Sequence, residues 1–259
     1  MSAVLTLFCL PYAGASAMSY ARWRRNVPAW LDIRPVELPG RGARAGEPLA
    51  TDLVDLAAQL ARELRGETYR PYALFGHSMG SLLAFELACA LRAHNLPAPR
   101  ALLVSGGSAP AHRDYLRFRQ PLNDAQLLGE LASLQGTPPE ALQDPELMRL
   151  ALPVLRADFL LCGRYRYQPT APLQCPVHVL AGTEDRASEA QLLAWREHAG
   201  AAFSLELFAG GHFFIQEQER AVLDHLVACL ETTLASPAMP LPGLAGVRPD
   251  SHFLCKGAT

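Results

Sequence analysis

The chain has 259 residues, half of them hydrophobic and 19% charged, and its 23 basic and 25 acidic side chains leave a net charge of −2. Such a chain has ample material for a core and too little charge to be a disordered polyelectrolyte. It carries no basic footprint for nucleic acid or an anionic membrane surface, and no run approaches the ~18 apolar residues of a membrane-spanning helix.

In chain order, the first apolar run is 4–10, which has no basic region ahead of it and so reads as a strand rather than a signal peptide. Further strand candidates are 33–38, 72–76, 101–105, 177–182 and 203–208. Between them, 52–65 places Leu53, Leu56, Ala57, Leu60 and Leu64 on one helical face, and 79–93 is apolar around most of its circumference. Continuous apolar strands alternating with helices predict a mostly parallel sheet with helices on both faces.

The interval between 105 and 177 breaks that alternation. Leu127, Leu128, Leu131 and Leu134 form one apolar stripe, and Leu147, Leu150, Ala151, Val154, Leu155, Phe159 and Cys162 form another, with Pro138, Pro139 and Pro145 as breaks. This predicts a helical cap, 111–169, inserted into a core made of 1–110 and 170–235, rather than ordinary crossover helices. A last helix is expected over 217–234, and 236–259 reads as a flexible proline-rich tail. The six cysteines (Cys9, Cys89, Cys162, Cys175, Cys229 and Cys255) stand singly, with no CxxC pair and no His at metal-ligand spacing, so reduced thiols and no metal are expected.

The chemistry centres on Gly76-His77-Ser78-Met79-Gly80, which directly follows one strand candidate and directly precedes a helix. A glycine-flanked serine between strand and helix is the nucleophile elbow of the α/β-hydrolase fold, with Ser78 as nucleophile. Its hydroxyl needs a histidine base and a carboxylate, in the chain order Ser, Asp or Glu, His. Asp185, just past the strand 177–182, is the preferred carboxylate, with Glu184 as competitor. His212, after Gly210-Gly211, is the base, and Phe213 and Phe214 stand where they can wall the site. His77 is expected to shape the turn, and the other histidines to lie at the surface or in the core. For the oxyanion, Met79 offers one backbone N–H and Ala13, in the loop after the first strand, a second.

Phe8-Cys9-Leu10-Pro11-Tyr12-Ala13-Gly14, Glu37-Leu38-Pro39-Gly40-Arg41-Gly42 with Arg44 and Glu47-Pro48, the elbow itself, Leu152 to Phe159 (LPVLRADF), Tyr165-Arg166-Tyr167, and Gly211-His212-Phe213-Phe214 together extend the pattern. Over about 1–235 the chain resembles the type II thioesterases that accompany nonribosomal peptide and polyketide synthases. Ala15, where the family more often has a second glycine, and the tail depart from it. The resemblance implies hydrolysis of aberrant or stalled acyl groups from the phosphopantetheine arm of carrier proteins, by a Ser78–His212–Asp185 triad without a cofactor. With no signal peptide or membrane span read from the sequence, a cytoplasmic protein, and a monomer, is expected. A free-standing esterase or lipase acting on small esters, and a non-catalytic scaffold binding synthase modules, are the alternatives. Arg41 and Arg44 read either as contacts for a phosphate or an acidic carrier surface or as solvated charges, and Arg156 and Asp158 as a local ion pair.

Overall fold

A computed structural model describes residues 4–113 and 116–235. The tail read from 236–259, with Cys255, lies outside the described residues. Six strands, β1 (Leu5–Leu10), β2 (Leu31–Pro35), β3 (Tyr72–His77), β4 (Leu102–Ser105), β5 (Val177–Gly182) and β6 (Phe203–Phe208), pair in the order β2-β1-β3-β4-β5-β6. Every pairing is parallel. The second strand begins two residues before its expected start at 33, because Leu31 pairs with Leu5.

Alternate side chains of each strand feed two cores, as the pleat requires. Phe8, Leu10, Leu74, Leu102 and Val179 face α1 (Leu53–Glu63) and α2 (Met79–Ala93). Leu7, Cys9, Ala73, Phe75 and Leu103 face Tyr20 and Trp23 of a 3₁₀ segment, Ala17–Arg25, and the closing helix. Sequence at the helix starts explains where they begin. The Asp52 carboxylate accepts from the Val54 and Asp55 N–H groups at the head of α1, satisfying donors that have no partner within the helix.

Among the described residues, three α-helices fill the interval between β4 and β5: α3 (Asp124–Leu134), α4 (Pro139–Leu142) and α5 (Pro145–Arg164). The prolines open helices as first-turn residues rather than merely separating them: Pro139 and Pro145 occupy the first turns of α4 and α5, where an absent N–H costs no bond. These helices build a small core of their own from Leu127, Met148, Leu152, Leu155 and Phe159. That face differs from the expected stripe, for Leu147 and Leu150 are exposed and Met148 and Leu152 are buried in their place. After β5 come α6 (Glu189–Leu193), then β6, α7 (Phe214–Glu217) and α8 (Glu219–Ala235). The closing helix expected over 217–234 is α8, which starts two residues later, and the short α7 precedes it across Gln218.

Candidate active site

β1 and β3 are neighbours whose chains leave in opposite directions across the sheet, and the crevice at their C-terminal ends is where open parallel sheets bind ligands. Ser78 stands there, between the last residue of β3 and the first of α2, at φ 55° and ψ −115°. A non-glycine residue in this region costs ~1–3 kcal/mol, and the turn around it must be held by its neighbours. Two glycines make the turn possible. A Cβ on Gly76 would fall 1.9 Å from the Gly80 carbonyl oxygen, and one on Gly80 would fall 2.3 Å from that of Leu10. The Ser78 N–H donates to the Ser105 carbonyl at 2.8 Å, tying the elbow to the adjacent strand.

The Ser78 Oγ lies 2.9 Å from His212 Nε2, and both carboxylate oxygens of Asp185 lie 3.0 Å from His212 Nδ1. An ionised carboxylate can only accept, so Nδ1 carries the ring proton and Nε2 is left to accept from the serine hydroxyl. Asp185, rather than Glu184, makes this contact; Glu184 is exposed and donates its backbone N–H to Gly210. Burial raises the Asp185 carboxyl, but the His212 hydrogen bond and charge and the Arg186 N–H outweigh it, so the net pKa is lowered.

His77 lies wholly buried beneath this line. Its Nδ1 meets Ser105 Oγ at 2.9 Å and its ring lies 5.0 Å from that of His212. Burial, and then the neighbouring His212, push its pKa well below the ordinary histidine value, so the imidazole is neutral. Tyr12 and Phe213 pack on it edge-on and tilted. Phe214 does not wall the site; it is buried in the core, stacked on Phe208.

A cavity of about 210 Å³ opens over Ser78, lined by Ala13, Met79 and His212 and, from the β4–β5 interval, by Phe118, Leu134, Phe159 and Cys162. Ala13 and Met79 thus share the cavity wall with the serine. Among the described residues no three His, Cys, Asp or Glu side chains gather as a metal site, and no helix is long and apolar enough to cross a membrane. The described cysteines are free thiols, and burial pushes the Cys162 pKa up to about 12, so this cavity residue stays protonated.

Two charged readings from the sequence, of Arg41 and of the Arg156–Asp158 pair, are corrected. Arg41 is neither solvated nor surface-facing: it is buried, and its guanidinium forms a two-pronged pair with Asp158 of α5. Arg156 consequently does not pair with Asp158 but with Asp124. Arg44 is clamped between Glu47 and Glu63. Three further charged groups at the cavity had no sequence signal: Glu130, which is buried and pairs with Arg117 and Arg186, Arg186 itself, and Arg113. Glu130 sits within the leucine stripe of α3, whose periodicity marks a buried face but not a charge on it, and Arg113 and Arg186 lie in loops with no periodicity to point to the cavity.

The six-stranded parallel sheet, the serine on its strained turn and the histidine bonded to it define the class, an α/β-hydrolase. The thioesterase domain model matches residues 5–230. The gramicidin S biosynthesis protein GrsT of Aneurinibacillus migulanus is 38% identical over 239 residues, covering 90% of this chain and 92% of that protein. Among solved structures, the type II thioesterase BorB from the borrelidin biosynthetic cluster is 38% identical with a TM-score of 0.81, covering 89% of this chain and 95% of that one. YbtT, a type II thioesterase from the yersiniabactin NRPS/PKS biosynthetic pathway, is 32% identical with a TM-score of 0.77, covering 90% and 94%. The chain belongs to the thioesterase family, and within it to the type II thioesterases of nonribosomal peptide and polyketide pathways.

Proposed function

We propose that this type II thioesterase removes aberrant or stalled acyl groups from the phosphopantetheine arm of carrier proteins, with Ser78 as nucleophile, His212 as base and Asp185 as the carboxylate that orients it. The observation that carries the reading is the continuous hydrogen-bonded line from Asp185 through His212 to the Ser78 hydroxyl, at the floor of a cavity with an apolar wall. The Ser78 oxygen attacks the thioester carbonyl carbon while its proton passes to His212 Nε2, and Asp185 stabilises the imidazolium. The Met79 and Ala13 N–H groups hold the tetrahedral oxyanion. Collapse breaks the carbon–sulfur bond, and the departing thiolate takes the proton from His212. Water, deprotonated by the same base, then attacks the acyl ester, releasing the carboxylic acid and restoring the serine.

In this reading 111–169 is the cap, with a small core of its own, and 1–110 with 170–235 is the hydrolase core. The protein works as a monomer in the cytoplasm, where carrier proteins and their synthases operate. The pathways of BorB and YbtT support a carrier-tethered substrate. The experiment is a comparison of kcat/KM for an acyl group on a carrier protein with that for the same acyl group on a small thiol. A rate advantage for the carrier is expected. Equal rates would instead mark an esterase acting on small substrates.

A further inference from the structure

Arg113 reaches the elbow from the loop after β4, just beyond the 3₁₀ turn Pro110–His112. Its Nη2 donates to the Ser78 carbonyl oxygen at 2.9 Å and to Ser81 Oγ at 2.7 Å, while its Nε donates to the Ser108 carbonyl at 3.3 Å. The Ser81 hydroxyl in turn donates to the same Ser78 oxygen at 2.6 Å, and the Ser81 N–H does so at 3.1 Å. Three donors, one of them charged, therefore converge on a single carbonyl. Gly107 leaves the room for them: a Cβ there would fall 2.3 Å from Arg113 Nη2 and 2.4 Å from Ser81 Oγ.

The Ser78 carbonyl and the Met79 N–H are the two ends of one peptide unit. That unit is planar and its electrons are shared between oxygen and nitrogen, so its plane cannot turn at one end alone. Donors on the oxygen draw density from the nitrogen and strengthen the N–H as a donor, and a charged donor does so most. We propose that Arg113, acting through the Ser78–Met79 peptide, is a positioning residue that aims and polarises the Met79 N–H toward the oxyanion. This rests on the reading of Met79 as an oxyanion donor given above. The Arg113 side chain lines the cavity without needing to touch the acyl group.

The test uses the full chain and an acyl-pantetheine thioester, with a trifluoromethyl ketone of matching chain length, whose serine adduct carries an oxyanion. Removing an oxyanion donor outright costs about 10²–10³ in kcat, so weakening one by Arg113→Gln should lower kcat roughly tenfold with KM within about twofold. The inhibition constant of the ketone should rise by the same factor, and Arg113→Lys should retain more of both. Should Arg113→Gln fail to fold, Ser81→Ala removes the bridging hydroxyl and should move kcat and the ketone constant together, by a smaller factor. A fall in kcat with no change in ketone affinity would reduce Arg113 to a structural role, and a rise in KM alone would make it a substrate contact; either overturns the proposal, as does no change at all. Activity surviving in Ser78→Ala would instead remove the reading beneath it.

Discussion

Asp158 on α5 and Arg41 in the loop after β2 meet in a buried pair, with Nη1–Oδ2 at 2.6 Å and Nη2–Oδ1 at 2.7 Å. Asp158 Oδ2 also accepts from the Gly14 N–H at 2.8 Å, and Arg41 Nη1 donates to the Ala15 carbonyl at 3.3 Å. The pair thus fastens an α5 helix turn to the loop after β1. Asp158→Ala leaves a buried guanidinium and the Gly14 N–H without their acceptor, a loss of about 3–5 kcal/mol. In a chain of this size that lowers the melting temperature by roughly 10 °C. Replacing both partners, Arg41→Met with Asp158→Leu, should melt above the single variant, because no charge is then stranded. Calorimetry of the three proteins reads this directly, and a wild-type melt for Asp158→Ala would contradict it.

The cavity wall sets a second expectation. Phe118, Leu134, Phe159 and Cys162 form its apolar part, and each methylene of an acyl chain buried against them contributes about 0.8 kcal/mol, roughly fourfold in kcat/KM. Leu134→Phe adds bulk from α3, so the longest acyl chain accepted should shorten by one or two carbons while acetyl turnover stays near wild type. A series of acyl-pantetheine thioesters from acetyl to lauroyl measures it. An unshifted chain-length profile would mean that the acyl group lies elsewhere.

Stability should fall on mild acidification, and His178 gives the sign. Its ring on β5 is buried, with Nδ1 at 2.7 Å from Ser204 Oγ; burial, and then His225, lower its pKa from 6.5 to about 4. Above pH 6.5 folded and unfolded chains both hold it neutral. Between 6.5 and 4 the unfolded chain binds a proton that the folded one refuses, so stability drops as pH falls through this window. His77 and His198 shift in the same direction. Asp185, whose pKa is lowered, adds stability that is lost only as pH falls through its lower folded value. Melts from pH 7.5 to 4.5 should therefore decline steadily, and His178→Gln should flatten the decline. An identical slope in that variant would remove His178 from the account.

Much of the fold was legible because buried parallel strands are continuous apolar runs, and five of the six expected strands lie within a residue of their ends. Ser78 stood out through glycines that the turn sterically requires, and His212 and Asp185 through their places beyond later strands. Asp185 was preferred to Glu184, but what separates them, the contact to His212, was not legible, since one step along a loop reverses a side chain's direction. Nor was the Arg41–Asp158 pair, whose partners lie 117 residues apart and meet only when α5 packs across the sheet edge. The buried face of α5 was misplaced because leucines lie all round that helix, and packing against α3 chose Met148 and Leu152 over Leu147 and Leu150. Arg113 carries no pattern at all; its role follows from a single carbonyl that three donors share.

Passage of the acyl group through Ser78 is read by rapid quench during turnover of an acyl carrier protein, followed by intact and peptide mass spectrometry. A transient mass increase equal to the acyl group, mapped to the peptide containing Ser78, is expected, and Ser78→Ala should lose both the adduct and the turnover. An acyl adduct on any other residue, or undiminished turnover by Ser78→Ala, would contradict it.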